Sequence, residues 1–261
     1  MEPSTSLRNL RRPVVVVAFG GWNDAGDAAT DVLEHLAQLS DAEQAFSVDP
    51  DDYYDFTQVR PVLVRDGVGN RNLEWQTTEV LVGSLPNRDV VLVVGPEPQM
   101  RWRAFCAALV SAFRTVRPER VVLLGAMLAD APHRRPIQVV ENATDYEGPT
   151  GIVGVLNQLC LEAGLPTTSL WASVPHYVSE PPSPKVTLAL LQRLEDVLDS
   201  TLDPGDLPVD AATWENRVDE LVTDPEIASY IESLEERYDD EVTDGDQIAA
   251  EFERYLRRRN R

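Results

Sequence analysis

One stretch decides the fold of this chain: Val14-Val15-Val16-Val17-Ala18-Phe19, followed by Gly20-Gly21-Trp22-Asn23-Asp24. Six apolar residues, mostly β-branched, are too short for a buried helix and predict a strand covered on both faces, as in a parallel sheet. The glycines allow a tight turn, and Asn23 or Asp24 can cap a helix that runs to about residue 39. Strand, turn and capped helix predict an α/β domain, in which ligands bind at the carboxyl ends of the strands.

Short apolar runs and amphipathic stretches alternate along most of the chain. Further strands are predicted at residues 44–48, 62–65, 73–82, 90–94, 121–124, 137–140 and 167–171. Helices are predicted at 99–116, at 152–163 with Gly164 closing it, and after the cap Ser183, where Pro184 takes the first position. The turn at 66–70 predicts a hairpin, so an antiparallel excursion interrupts a mostly parallel sheet.

The composition changes around residues 203–206, which we take as a domain boundary. An α/β domain is expected at 13–202 and an acidic helical extension at 206–259. The extension carries amphipathic runs at 211–222, after Pro225, and after Gly245, the last with Ile248, Phe252, Tyr255 and Leu256. Its acidic residues are expected to form the solvated face of these helices, or else an acidic docking surface.

Net charge and apolar content exclude several classes of function. The net charge is −21, and nearly all of the acidic excess lies in residues 195–253, which argues against nucleic-acid binding. No apolar run approaches the roughly 20 residues that span a bilayer, and the N-terminal region lacks the apolar core of a signal peptide. Cys106 and Cys160 fall in predicted helices and are expected to be buried and reduced. A cytoplasmic protein without membrane or nucleic-acid partners is therefore expected.

Established catalytic motifs do not occur in this sequence. The turn after the first strand has neither the dinucleotide glycine fingerprint nor the phosphate-loop lysine, and Asp24 and Asp27 place negative charge where a phosphate would sit. A Gly-x-Ser-x-Gly elbow is absent. The histidines are His35, His133 and His176, and no two have the close spacing of zinc ligands. We therefore assign no catalytic residue, metal or cofactor from sequence, although His133 or His176 could join a carboxylate in an acid–base site.

Unusual residues gather at or just after the predicted strand ends. In a parallel sheet these ends meet at one edge, so their side chains are expected to line either a pocket or an interface with another subunit. The candidates are Gly20, Gly21, Trp22, Asn23, Asp24, Glu97, His133, Glu147, Thr150, Trp171, His176 and Tyr177.

Several of these stretches together resemble the PAC2 family, the proteasome assembly chaperone 2-like proteins, and most closely its bacterial branch. They are Ala18-Phe19-Gly20-Gly21-Trp22-Asn23-Asp24-Ala25-Gly26-Asp27-Ala28, Gly95-Pro96-Glu97-Pro98, Leu124-Gly125-Ala126-Met127-Leu128-Ala129-Asp130-Ala131-Pro132-His133, Tyr146-Glu147-Gly148-Pro149-Thr150-Gly151 and Pro175-His176-Tyr177. The resemblance implies a three-layer α/β fold similar to nucleoside phosphorylases and related hydrolases. It also implies self-association into rings such as trimers and, in eukaryotic and archaeal relatives, chaperoning of proteasome α-subunits.

The resemblance carries no catalytic residues over to this chain. Family chaperones often dock through a hydrophobic–Tyr–any-residue tail, whereas this sequence ends Arg258-Arg259-Asn260-Arg261, so docking of that kind is not expected.

Two hypotheses follow. The first is a non-enzymatic, homo-oligomeric interaction protein that assists assembly of a protein complex, with proteasome-type subunits as partners. Its interface anchors would be Trp22 and the aromatic loop of Tyr53, Tyr54 and Phe56. The alternative is a small-molecule-binding protein, or a hydrolase- or phosphorylase-like enzyme, with a pocket at the carboxyl ends of the strands.

Overall fold

The computed structural model describes residues 7–142 and 147–242. A central sheet of seven strands has the order β2-β5-β6-β1-β7-β9-β8, and β3 and β4 form a separate hairpin. The strands are β1 Val14–Gly20, β2 Glu43–Ser47, β3 Val62–Arg65, β4 Arg71–Glu74, β5 Glu79–Ser84, β6 Asp89–Pro96, β7 Arg120–Ala129, β8 Val139–Glu141 and β9 Thr167–Pro175.

The four strands at the centre of the sheet are parallel. Val15 of β1 pairs with Val91 of β6 on one side and with Val121 of β7 on the other. The outer strands β5, β2 and β8 pair antiparallel with their neighbours. The predicted parallel centre is therefore confirmed, and it aligns the carboxyl ends of β6, β1, β7 and β9 along one edge.

Helices cover both faces of the sheet. They are α1 Ala28–Leu39, α2 Trp102–Val116, α3 Ile152–Glu162, α4 Pro184–Leu198, α5 Leu207–Leu221 and α6 Pro225–Val242. Alternate residues of β1 point to opposite faces, so Val16 packs in the core with α1 and α4, and Val17 packs in the core with α2 and α3. The apolar run around these residues is continuous because both faces are buried, which confirms the predicted α/β class and the three layers.

The C-terminal helices follow the predicted amphipathic pattern. Helix α5 packs against α4 and buries Ala211 and Val218, while α6 buries Ile231 and Leu234. The third predicted run, residues 248–256, lies outside the described residues, as does Tyr146 of the family motif.

The prediction of one strand at residues 73–82 is wrong. The stretch forms parts of two strands in different sheets: β4 pairs with β3 in the hairpin, and β5 pairs with β6 in the main sheet. Side-chain contacts hold the connection between them: the Trp75 ring meets Phe56 edge-on at 4.7 Å, and the buried Thr78 hydroxyl lies 2.6 Å from that of Tyr54. These partners are distant in sequence, so the apolar pattern alone could not locate the break.

Ser183 stands at the predicted N-cap position of α4, but its side chain does not cap the helix. Its hydroxyl is buried without a hydrogen-bond partner among the described residues. It packs against Gly26, where a Cβ atom would lie 2.1 Å from the hydroxyl oxygen. This close contact takes the place of the capping geometry.

Candidate functional site

The turn after β1 presents an exposed tryptophan that is followed directly by two buried polar residues. Gly21 adopts φ +105°, which favours glycine, and its carbonyl accepts a hydrogen bond from the amide of Asp24 at 3.0 Å. The carbonyl of Asn23 accepts from the amide of Ala126 in β7 at 2.8 Å. Asn23 and Asp24 are buried, whereas Trp22 is 93% exposed. The turn is thus bonded to the sheet while its aromatic side chain faces solvent.

Glu97 joins this turn to the start of α3. Its Oε1 accepts hydrogen bonds from Nδ2 of Asn23 at 2.9 Å and from the amide of Ile152 at 3.0 Å. The second bond places a carboxylate at the N-terminus of α3, where the helix dipole favours negative charge. A Cβ on Gly151 would lie 2.2 Å from Oδ1 of Asn23, so the packing is tight. We call Asn23, Glu97, Gly151 and the amide of Ile152 the turn cluster.

The sequence predicts Asn23 or Asp24 as the cap of the first helix, but a short 3-10 turn, Ala25–Asp27, intervenes and Asp27 occupies the N-cap position of α1. Asp24 nevertheless bonds the first turn of the helix. Its carboxylate accepts from the amide of Ala29 at 2.6 Å and from the hydroxyl of Thr30. Burial raises the pKa of Asp24, and these hydrogen bonds oppose the rise. The amides that an anion would need at this helix start are already bonded to Asp24, so the arrangement disfavours phosphate.

The carboxylates near the start of α1 also repel one another. Burial raises the pKa of Asp31 to about 6, and the negative charges of Glu34, Asp24 and Asp27 contribute to the rise. The region therefore carries a local excess of negative charge.

His133 is fully buried and uses both ring nitrogens in hydrogen bonds. Its Nδ1 lies 2.8 Å from the hydroxyl of Tyr177. The same hydroxyl accepts a hydrogen bond from the His133 amide at 2.9 Å. Its Nε2 lies 2.9 Å from Oδ1 of Asp219 in α5. A neutral imidazole with its proton on Nε2 satisfies this set: Nε2 donates to Asp219 and the tyrosine hydroxyl donates to Nδ1.

The pKa values around His133 reflect the same contacts. Burial raises the pKa of Tyr177 to about 12, against the effect of the bond from the His133 amide. Burial would also raise the pKa of Asp219, but hydrogen bonds from His133 and Arg134 outweigh it and hold that pKa below its usual range. Tyr177 is therefore a neutral hydrogen-bonding group at pH 7, and Asp219 is ionised.

A seam of further polar contacts joins the same sheet edge to α5 and α6. Lys185, the one lysine in the sequence, donates to the His133 carbonyl and to Glu215. Arg135 forms two hydrogen bonds to Asp239 at 2.7 Å each. His176 contacts the rings of Tyr177 and Tyr230, and lies 3.5 Å from Asp130. We call His133, His176, Tyr177, Asp219 and Tyr230 the histidine cluster.

Sequence reasoning missed the partners that α5 and α6 supply to this cluster. His133 and Asp219 are 86 positions apart, and the acidic composition of the extension was the only related signal. His35, by contrast, belongs to neither cluster, and its Nε2 lies 2.7 Å from the Asp203 carbonyl.

Trp171, Glu147 and Thr150 belong to neither cluster, although Thr150 directly precedes Gly151 in the chain. Trp171 lies across Gly125, where a Cβ would meet the indole ring at 2.5 Å. Glu147 and Thr150 are exposed. Tyr54 is buried, with its hydroxyl bonded to the Pro96 carbonyl at 3.1 Å, so it is not available as a surface anchor.

Two cavities are lined entirely by described residues, and the lining of neither includes a member of the turn cluster. A groove of about 600 Å³ lies between α2 and α3, lined by side chains that include Ala107, Val110, Val155 and Leu159, with Thr150 at one end. A cavity of about 100 Å³ lies beside the end of β7, under Leu234 and Tyr238 of α6.

The described residues contain no group of three His, Cys, Asp or Glu side chains that could hold a metal ion. Cys106 and Cys160 are free and buried, and burial raises the pKa of each thiol to about 12, so neither is a ready thiolate. Within residues 7–142 and 147–242, no helix is long and apolar enough to cross a membrane.

Comparison with known proteins confirms the resemblance. The PAC2 family profile matches residues 18–222. A PAC2 family protein from Streptomyces avermitilis is 48% identical, with a TM-score of 0.80 over 84% of this chain and 99% of its own. A proteasome-assembly chaperone homologue from Mycobacterium tuberculosis is 45% identical, with a TM-score of 0.78 and the same coverage.

An archaeal proteasome activator from Pyrococcus furiosus shares the fold at 13% identity, with a TM-score of 0.62 over 82% of this chain and 94% of its own. No curated protein matches the chain significantly. The profile match and the two close structures together establish that the chain belongs to the PAC2 family.

Proposed function

We propose that this protein is a non-enzymatic, homo-oligomeric interaction protein of the cytoplasm that assists assembly of proteasome-type subunits. One observation carries the proposal: Trp22 is 93% exposed, whereas Asn23 and Asp24, which follow it in the same turn, are buried, and the Asn23 carbonyl is bonded to the sheet. Tryptophan is among the residues that most often dominate binding energy at protein interfaces. An exposed tryptophan on a turn whose backbone is bonded to the sheet fits an anchor for a protein partner.

The hydrogen bonds at the sheet edge support an interaction role over catalysis. Asp24, Glu97 and His133 are the groups that a hydrolase would use there, and each is bonded to other protein groups. The alternative, a small-molecule site at the strand ends, calls for a pocket of about 300 Å³ or more. Of the two cavities lined by described residues, the one of that size lies between α2 and α3 and reaches the strand-end candidates only at Thr150.

The names of relatives support the choice of partner. A structure with 45% identity is described as a proteasome-assembly chaperone homologue. We propose proteasome α-type subunits as the client, and self-association into a closed ring such as a trimer.

Affinity purification from the native cytosol, followed by intact-complex mass spectrometry, tests the proposal. The wild-type chain is expected to recover proteasome-type subunits, and Trp22→Ala is expected to lose them because the anchor is gone. Leu161→Ala is the matched control: it removes an exposed apolar side chain at the far end of α3 and should leave recovery unchanged. Recovery of a bare oligomer carrying a small-molecule mass would contradict the proposal and favour the enzyme alternative.

A further inference from the structure

The hairpin of β3 and β4 stands apart from the main sheet. Within the described part of the chain its strands pair with each other and with no other strand. A two-stranded hairpin is marginally stable by itself in water. Large apolar side chains are nonetheless exposed along it and at its base: Val62, Leu63, Val68, Leu73 and Trp75. A ribbon of this kind needs a surface to pack against.

One face of the hairpin combines apolar and positively charged side chains. Leu63 lies opposite Leu73, and Arg65 lies opposite Arg71. Since side chains alternate along a strand, these four residues share one face, which we call the hairpin face. The leucines are 49% and 56% exposed.

The paired arginines indicate what the hairpin face binds. Like charges directly opposite each other destabilise a hairpin. Arg65 donates to the Gly69 carbonyl at 3.3 Å, and neither arginine forms an ion pair with any residue of 7–142 or 147–242. The face therefore suits a partner that offers carboxylates next to apolar side chains.

The turn between α5 and α6 has that composition. Leu221 and Ile227 are 68% and 43% exposed, and each follows an exposed glutamate, Glu220 and Glu226. Neither glutamate forms an ion pair with another described residue. We call these four residues the helix corner. It is the chemical complement of the hairpin face.

We propose that the hairpin face of one copy of this chain docks on the helix corner of a second copy. Leu63 and Leu73 would pack against Leu221 and Ile227, and the arginines would pair with Glu220 and Glu226. A second copy is the partner the chemistry favours, because every copy carries both complementary surfaces, and no described hydrogen bond or ion pair joins them within one copy.

The contact joins two different surfaces, so its repetition gives a closed ring where the rotation between copies closes and an open filament where it does not. The closed ring of the proposed function requires the first case. The inference rests on the proposed function, because it specifies the surfaces through which the homo-oligomer forms.

Charge exchange in the full chain, followed by sedimentation equilibrium across a range of concentrations, tests the contact. The double variants R65E/R71E and E220R/E226R should each weaken association by at least about tenfold, because like charges then face each other. The quadruple variant restores opposite charges and should associate within about threefold of the wild type. E232R/E236R is the matched control, since it makes the same charge change at exposed positions of α6, and it should associate normally.

Each outcome supports or overturns the proposed contact, once thermal unfolding has shown that the variants are folded. Weakening by both double variants with rescue in the quadruple variant supports the contact. Weakening without rescue, or no weakening, overturns it while the homo-oligomer of the proposed function stands. A wild-type chain that stays monomeric at every concentration overturns both.

Discussion

The turn cluster and the histidine cluster both lie at the carboxyl edge of the sheet, yet they use buried polar side chains differently. In the turn cluster, Asn23 and Glu97 tie the ends of β1 and β6 to α3, and the adjoining Trp22 remains exposed. In the histidine cluster, His133 bonds outward to Asp219 and so attaches the added helix α5 to the sheet. Polar residues at strand ends thus fix the turn that exposes Trp22 in one cluster, and attach helix α5 to the sheet in the other.

The two regions also differ in the balance of charge. Among the described residues, no cation pairs with the carboxylates beside the turn, and burial raises the pKa values of Asp24 and Asp31. In the histidine cluster, hydrogen bonds from His133 and Arg134 hold the pKa of Asp219 low although the side chain is partly buried. We therefore expect opposite dependence of the two regions on pH.

The largest expected effect is loss of the histidine cluster through His133→Ala. The substitution opens a buried space and leaves Tyr177 and Asp219 without their shared partner, so the free energy of unfolding should fall by about 3 kcal/mol. Urea unfolding at pH 7 measures it. His176→Ala is the control, because that side chain is 42% exposed, and it should cost less than about 1 kcal/mol. Equal losses in the free energy of unfolding for His133→Ala and His176→Ala would contradict the distinction between buried and exposed members of the cluster.

The turn cluster should break through Gly151→Ala. A Cβ there would lie 2.2 Å from the Asn23 amide oxygen and must displace a buried side chain, which should cost about 2 kcal/mol. Gly154→Ala is the comparison: its Cβ meets the exposed Thr150, which can rotate away, so the better helix propensity of alanine should leave stability equal or raised by about 0.5 kcal/mol. Thermal unfolding of both variants decides whether tight packing is specific to the cluster.

Asp31→Asn should stabilise the protein at neutral pH. The raised pKa means that the folded state holds the Asp31 proton more tightly, so ionisation lowers stability as pH rises from about 4 to about 6. Because the side chain is only partly buried, we expect the variant to gain about 1 kcal/mol at pH 7 after allowance for solvent screening. The gain should vanish below pH 4.

Asp219→Asn is the counterpart in the histidine cluster. The pKa of Asp219 is lowered in the folded protein, so its stabilising effect is present above its unfolded pKa and is lost as pH falls through the folded value. This variant should be less stable than wild type at pH 7, with a difference that shrinks in acid. Unfolding curves between pH 3 and 7 that shift alike for both variants would contradict the electrostatic contrast.

The smallest effect on stability is expected for Trp22→Ala. The side chain is almost fully exposed, so the free energy of unfolding should change by less than about 0.5 kcal/mol. Loss of partner recovery in this variant would then report on binding and not on folding. A large loss of stability would show that the indole packs on the chain in solution.

Much of the fold could be predicted because its signals are local. Strand β1 forms a continuous apolar run since both faces are buried, and Gly164 closes α3 at φ +72°, as predicted. Strands β7 and β9 are longer than the predicted strands at 121–124 and 167–171. The prediction stopped early because the carboxyl ends of both strands carry small, polar or exposed residues, such as Ser173 and Met127. These ends gain their pairing from each other and not from an apolar pattern.

The candidate site was predicted less completely. The bond from Asp24 to the first turn of α1 could be predicted because its partners are five and six positions away, although Asp27 occupies the N-cap position itself. The bond between Asn23 and Glu97 spans 74 positions and was not foreseen as a bond, although both residues were candidates. Glu147 and Trp171 were predicted to lie near these residues because all of them lie at or just after predicted strand ends. No described contact joins Glu147 or Trp171 to either cluster.

By itself the sequence determined the α/β class, the parallel centre of the sheet and the family, since these depend on short-range apolar patterns and motifs. Only the tertiary structure decided that His133 is bound on both sides while Trp22, two positions past β1, is left in solvent. The physical reason is that burial and hydrogen bonding depend on groups brought together from distant positions, and such pairs leave no periodic signal in the chain.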